Sequence, residues 1–203
     1  EWVILADGRT PMRAGRDARM IPNNRIPLCS RVLKIEPTFR AVLEAHYQPD
    51  ECVLALGLDW TEPGRINGRT EDGEWRPGTR ERWLPYETEY PLCDPPLTEK
   101  MGLLDFMHDV RGIKPPRLYA TGAPHANCGG ACVRAGQAEW SRLLWWNRPR
   151  YLEWEAEEED SRDVIGDHAI LRDRTGGVSK PLSLRTFRER LELVVDVVTG
   201  NSS

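Results

Sequence analysis

Two apolar runs that stop at turns constrain this chain's fold more than any other feature. Trp2-Val-Ile-Leu5 runs into Ala-Asp-Gly8, and Cys52-Val-Leu-Ala-Leu56 runs into Gly57. Continuous rather than alternating hydrophobicity marks a strand buried on both faces, and such strands belong to parallel sheets covered by helices. Helical spacing follows in several places. Leu28, Val32, Ile35, Phe39, Val42 and Leu43 share a face, and Pro37, which lacks an amide hydrogen, should kink that run. Met101, Leu104, Met107 and Val110 mark a helix that Thr98 would cap. Two more helices are predicted from Gln137 to Trp146 and from Pro149 to near Gly166. Ala169 to Arg172 and Val178 to Leu182 flank Arg174-Thr-Gly-Gly177 as a hairpin, and Leu184, Phe187, Leu191, Val194 and Val198 predict a closing amphipathic helix. The expectation is an α/β fold with a largely parallel sheet over residues 1–166, and a hairpin-and-helix extension over 167–203.

A length of 203 residues with 39% apolar content supports about one domain with a real core. No stretch of about 18 apolar residues would span a membrane, and the first residues lack the basic start and long apolar run of a signal peptide, so a cytoplasmic location with no membrane partner is expected. The chain opens on a strand-like run without an initiator Met, as the later part of something longer would. Charge is uneven: residues 1–40 carry eight Arg or Lys against four Asp or Glu, whereas Glu153 to Asp163 is mostly acidic, and its run Glu155 to Asp160 is expected to be a solvated helix face. Pro63 to Tyr90, with Trp75 and Trp83, shows no period and predicts a long functional loop.

The five cysteines form an odd set with no export signal, which favours thiols or metal-bound thiolates over disulfides. Cys128 and Cys132 make C-x-x-x-C, with Gly129 and Gly130 free to bring both sulfurs to one centre. Two thiolates are half a site. Cys29 and Cys93, each in a Pro-rich segment, would complete four soft ligands for an iron–sulfur cluster or zinc, and His125 is a spare. A redox dithiol, or small buried residues filling a tight turn, remain open alternatives. Cys52, inside the second apolar run, reads as core.

Arg31 and Lys34 are three apart near a helix start, where they and the backbone amides would favour phosphate or sulfate. Arg9, Arg13, Arg16, Arg19 and Arg25 precede them and fit either an anion-binding front or a solvated basic face. Asp59, Glu62 and Arg65 follow a predicted strand, the position at which parallel sheets bind ligands. No phosphate loop of the P-loop or dinucleotide type, hydrolase triad or nucleic-acid motif is visible.

Cys29-Ser-Arg-Val-Leu-Lys-Ile-Glu-Pro37, Leu56-Gly-Leu-Asp-Trp-Thr-Glu62, Tyr90-Pro-Leu92 and Asn127-Cys-Gly-Gly-Ala-Cys-Val-Arg-Ala-Gly-Gln-Ala-Glu-Trp140 together resemble the phosphoadenosine phosphosulfate reductase-like family, within the adenine nucleotide alpha-hydrolase-like, or PP-loop ATP pyrophosphatase, superfamily. The resemblance implies a Rossmann-like fold that binds ATP or another adenine nucleotide. It also implies a four-iron four-sulfur cluster, with zinc as the alternative, on Cys29, Cys128 and Cys132 with Cys93 as the fourth thiolate. One cysteine stands where the reductases carry two, C-x-x-x-C replaces C-x-x-C, and the family's first strand and Ser-Gly-Gly loop would precede Trp2. Sulfur transfer or related sulfonucleotide chemistry on a sulfur-containing or nucleic-acid substrate is the activity implied; apart from the resemblance, a homo-oligomer is a possible assembly. Rival readings are a non-catalytic, metal-stabilised module contacting protein or nucleic acid, and zinc-dependent hydrolysis at His125.

Overall fold

The computed structural model describes residues 8–22, 26–68 and 78–199. The expected strand at residues 2–5, Arg25 and Trp75 lie outside them. The protein is mixed α/β and mostly helical. It divides into two compact units, Glu1–Glu36 with Pro116–Ser203, and Pro37–Pro115.

In the first unit, the Thr10 side chain accepts from the Arg13 amide at 3.2 Å and caps the helix Pro11–Asp17, whose proline stands where no helical hydrogen bond is needed. Glu139 reaches back to the Gly136 amide at the start of Gln137–Trp146, and Asn147 accepts from Arg150 to start Arg148–Ile165. These helices meet around Trp140, which is fully buried and packs edge-on against Tyr151 and Trp154 at ring separations of 5.8 and 5.9 Å. Each such aromatic pair adds about 0.5–1.5 kcal/mol beyond the area it buries.

Leu171–Asp173 pairs antiparallel with Lys180–Leu182, and Leu171 and Leu182 stand opposite each other in the same core. The closing helix Leu184–Thr199 docks by its first turns only. Leu184 and Phe187 are buried, whereas Val194 and Val198 stand 59% and 79% exposed despite their helical spacing.

The acidic run of Arg148–Ile165 corrects the expectation of a solvated face. Glu158 is 1% exposed, and its two carboxylate oxygens accept from the amides of Ile170 at 2.7 Å and Leu184 at 2.6 Å. Burial still pushes its carboxyl above the usual range, against the pull of both amides. Glu155 is buried too and takes Arg188 through two contacts, at 2.8 and 3.0 Å. Glu157, half-buried, accepts from the Thr10 hydroxyl at 2.5 Å, and the exposed Asp160 accepts from Arg16 at 2.6 Å. Arg13 and Arg16 of the basic front thus pair with the acidic helix.

Leu28–Ser30, Arg31–Ile35, Glu36–Thr38 and Phe39–Glu44 form one helical run, alternating α and π windings on both sides of Pro37. A wider winding accommodates the missing amide that would otherwise break the helix.

In the second unit, Val53–Ala55 and Glu87–Glu89 pair in parallel, Leu54 opposite Thr88. This is the only parallel pair among the described residues, so the largely parallel sheet reduces to two short strands. The strand is not buried on both faces, since Val53 is 51% exposed, and Cys52 is half-buried rather than core. The expected structureless loop after Pro63 contains the helices Pro63–Asn67 and Thr79–Arg82 and the second strand. A Cβ on Gly78 would overlap the Ile66 carbonyl, so the glycine lets these two helices close against each other. Phe39 meets Trp83 and Tyr86 at 6.3 and 5.4 Å, and the Tyr86 hydroxyl donates to the Tyr47 carbonyl at 3.0 Å. Lys100–Arg111 starts after Glu99, one residue beyond the expected cap, and buries none of its side chains.

Candidate thiol site and its flanking cleft

The segment before Gln137–Trp146 turns back on itself at Asn127–Gly130. Cys128, Gly129 and Gly130 take φ of 52°, 60° and 87°, three consecutive left-handed residues. Glycine adopts this conformation freely; cysteine rarely does. The turn places Cys128 close enough to Cys132 for the two thiols to act on each other. Hydrogen bonding with Cys128, joined by the Arg134 amide and the nearby charges of His125 and Arg134, outweighs burial and lowers Cys132 to about 6. Cys128 is pushed far above the ordinary thiol range, by Cys132 first and by burial second. Cys132 is therefore the more acidic of the two thiols, and the thiolate is the form in which cysteine attacks electrophiles or binds soft metals.

Cys29, half-buried and packed against the core that holds Trp140, is close enough for its charge to act on Cys128. The first unit thus carries three of the four cysteines expected as ligands, Cys29 on one segment and Cys128 and Cys132 on another. The fourth expected ligand, Cys93, belongs to the second unit, where its thiol donates to the Leu58 carbonyl at 3.6 Å. Among the described residues, no three His, Cys, Asp or Glu side chains stand together in metal-ligand geometry. The paired sulfurs suit one soft metal ion or cluster edge, and Cys29 would have to turn toward them to join.

The expected nucleotide residues fall into two groups. Arg31 pairs with Glu36 at 3.6 Å, and Lys34 is exposed on the same helical run of the first unit. Asp59, Glu62 and Arg65 lie in the second unit beyond the carboxyl end of Val53–Ala55. The Thr61 hydroxyl and amide donate to Asp59 at 2.5 and 2.8 Å and hold it below the usual carboxylate range. Glu62 is engaged by Arg65. Of the upstream arginines, Arg9 pairs with Asp17, Arg13 with Glu157 and Arg16 with Asp160.

Beside the thiol turn lies a small cleft whose walls include Leu118, His125, Gly130, Glu139 and Arg142. The Arg142 Nε donates to the Thr121 carbonyl at 3.1 Å, but its Nη1, like Nδ1 of His125, is buried without a protein partner. Sequence reasoning missed Glu139 and Arg142. At three positions apart on one helix they look like a surface ion pair, and nothing in their spacing shows that the preceding turn folds back over them.

No family model, curated protein or solved structure matches this chain.

Proposed function

We propose that this chain is a sulfur-handling, adenine-nucleotide-binding protein of the phosphoadenosine phosphosulfate reductase-like kind, with its reactive centre at Cys128 and Cys132. The observation that carries the reading is the left-handed turn at Cys128, Gly129 and Gly130, which sets Cys128 beside Cys132, whose thiol is held below its ordinary range. Transferring sulfur and holding a cluster both require a thiolate. Cys29, Cys128 and Cys132 of the first unit would hold a four-iron four-sulfur cluster, or zinc. Such a cluster would supply electron transfer or a labile iron site. The chain's own residues fix the turn and hold the Cys132 thiol below its ordinary range.

A Rossmann-like arrangement belongs to this reading, supported by the parallel pair Val53–Ala55 and Glu87–Glu89 with Asp59, Glu62 and Arg65 beyond the end of its first strand. Arg31 and Lys34 would hold the phosphate or sulfate of the nucleotide. The chain should be purified without oxygen and assayed for iron, acid-labile sulfide and zinc, in wild type and Cys128→Ser. Iron with sulfide, lost in the variant, is the expected result. Zinc alone would make the site structural, and no metal in either protein would remove the cluster. Lys34→Ala should weaken ATP binding about tenfold, the scale of one charge-assisted phosphate contact; unchanged affinity would remove that assignment.

A further inference from the structure

The closing helix Leu184–Thr199 carries one apolar stripe through two environments. Leu184 and Phe187 enter the Trp140 core, and Leu191 packs partly against it. Beyond that point the stripe has no cover among the described residues. Val194 and Val198 continue it at 59% and 79% exposure, and Leu193 and Val197 widen it at 65% and 66%. At about 100° per residue these four positions fill one arc of the helix surface, in two side-by-side i, i+4 rows. Arg190 stands on the same arc one turn before Val194, exposed and tied to Asp173 at 2.6 Å. The helix has no basic residue in its last turn, so no cation of its own there offsets the partial negative charge of the final carbonyls.

We propose that this arc is the interface of a weak two-fold homodimer, in which Leu184–Thr199 packs antiparallel on the same helix of a second copy. The antiparallel pair is self-complementary. Leu193 faces the partner's Val198 and Val194 faces the partner's Val197, so apolar residues meet apolar residues and no like charges are opposed. The same arrangement sets the C-terminal turn of each helix beside the partner's Arg190, whose guanidinium has N–H groups left over from Asp173 to give the carbonyls. A parallel pair would instead place two uncompensated C-termini side by side. The area fits a reversible dimer: side chains exposed to this degree present roughly 450 Å² per copy, about 900 Å² for the pair, below the size of an obligate interface. The interface uses no residue of the thiol site, so it stands or falls independently of the chemistry proposed there.

Sedimentation equilibrium of the full chain, with reductant present to exclude disulfide-linked species, is the test. The mass should rise from monomer toward dimer as concentration goes from micromolar to hundreds of micromolar. Val194→Lys combined with Val198→Lys should stay monomeric throughout, with an unchanged far-ultraviolet circular dichroism spectrum, because both positions are exposed in the single copy. Val198→Lys alone, at the most exposed position, should weaken the dimer at least about tenfold by burying an unpaired charge, and it keeps the test decisive if the double variant loses helix. Arg190→Met should weaken dimerisation about fivefold, through the loss of two symmetry-related helix-end contacts. A monomer at every concentration, a dimer that persists in the lysine variants, or unchanged dimerisation in Arg190→Met would each overturn the proposal.

Discussion

At Cys128 the backbone and the side chain make opposite demands. A left-handed φ of 52° disfavours any residue with a Cβ by roughly 1–2 kcal/mol, yet a thiol is what gives Cys132 its hydrogen bond. Cys128→Ala keeps the Cβ and removes the donor, so the Cys132 thiolate should titrate well above its present value of about 6, as read from the pH dependence of its alkylation by iodoacetamide. The pair also has a defined effect on stability. Cys132 is depressed, so its contribution is full above the unfolded thiol value of 9.0 and is lost as pH falls toward about 6. Cys128 is raised from the same 9.0, so its contribution is full below that value and lost as pH climbs beyond it. The stability difference between wild type and Cys128→Ala, from urea unfolding, should therefore peak near pH 9. The sequence shows two cysteines at a spacing that permits contact. It does not show which sulfur keeps the proton, because that depends on the Arg134 amide and on burial.

At the scale of the element, Arg148–Ile165 is held by a residue that looks like surface. Glu158 satisfies the amides of Ile170 and Leu184, joining the segment before Leu171–Asp173 to the start of the closing helix, and the Tyr151 hydroxyl donates to the Leu184 carbonyl at 2.7 Å. Glu158→Ala strands two buried donors and should cost about 2–4 kcal/mol by urea unfolding. Glu158→Gln keeps one acceptor but turns an amide NH₂ toward the other donor, so it should fall between wild type and the alanine variant. Helix existence was legible here from Pro149 and the apolar spacing, as were the hairpin and the closing helix. The role of Glu158 was not, because its partners are backbone amides, which every sequence carries alike. Val194 and Val198 fail in the opposite sense: their periodicity is right, but among the described residues no element covers them.

Across the whole molecule, apolar burial is concentrated in one unit. The Trp140 cluster gathers its buried side chains from residues 12 to 187 of the first unit, while Lys100–Arg111 in the second unit buries none. Amides of Gln137–Trp146 should exchange with solvent at least about a hundredfold more slowly than those of Lys100–Arg111, as hydrogen–deuterium exchange would show. The apolar runs correctly placed a strand at Val53–Ala55, but they could not show that it has a single partner among the described residues, since hydrophobicity alone does not count the layers around a strand. Likewise, the run of segments from Gln137 to Thr199 was readable one element at a time. Its closure on Pro11–Asp17 was not, because the two stretches carry no pairing signal.

That closure has a consequence for synthesis. Arg16 finds Asp160 across 144 positions of chain, and Met12 is buried in a core whose other members all come from beyond the second unit. At about 5–20 residues per second, the ribosome needs on the order of 7–30 s between making the first helix and making its counterpart. Met12 and Ala14 travel unburied through that interval, while all of the second unit is translated. The nascent chain therefore carries the Met12 and Ala14 face of Pro11–Asp17 uncovered, open to a chaperone, until the segments beyond the second unit are made.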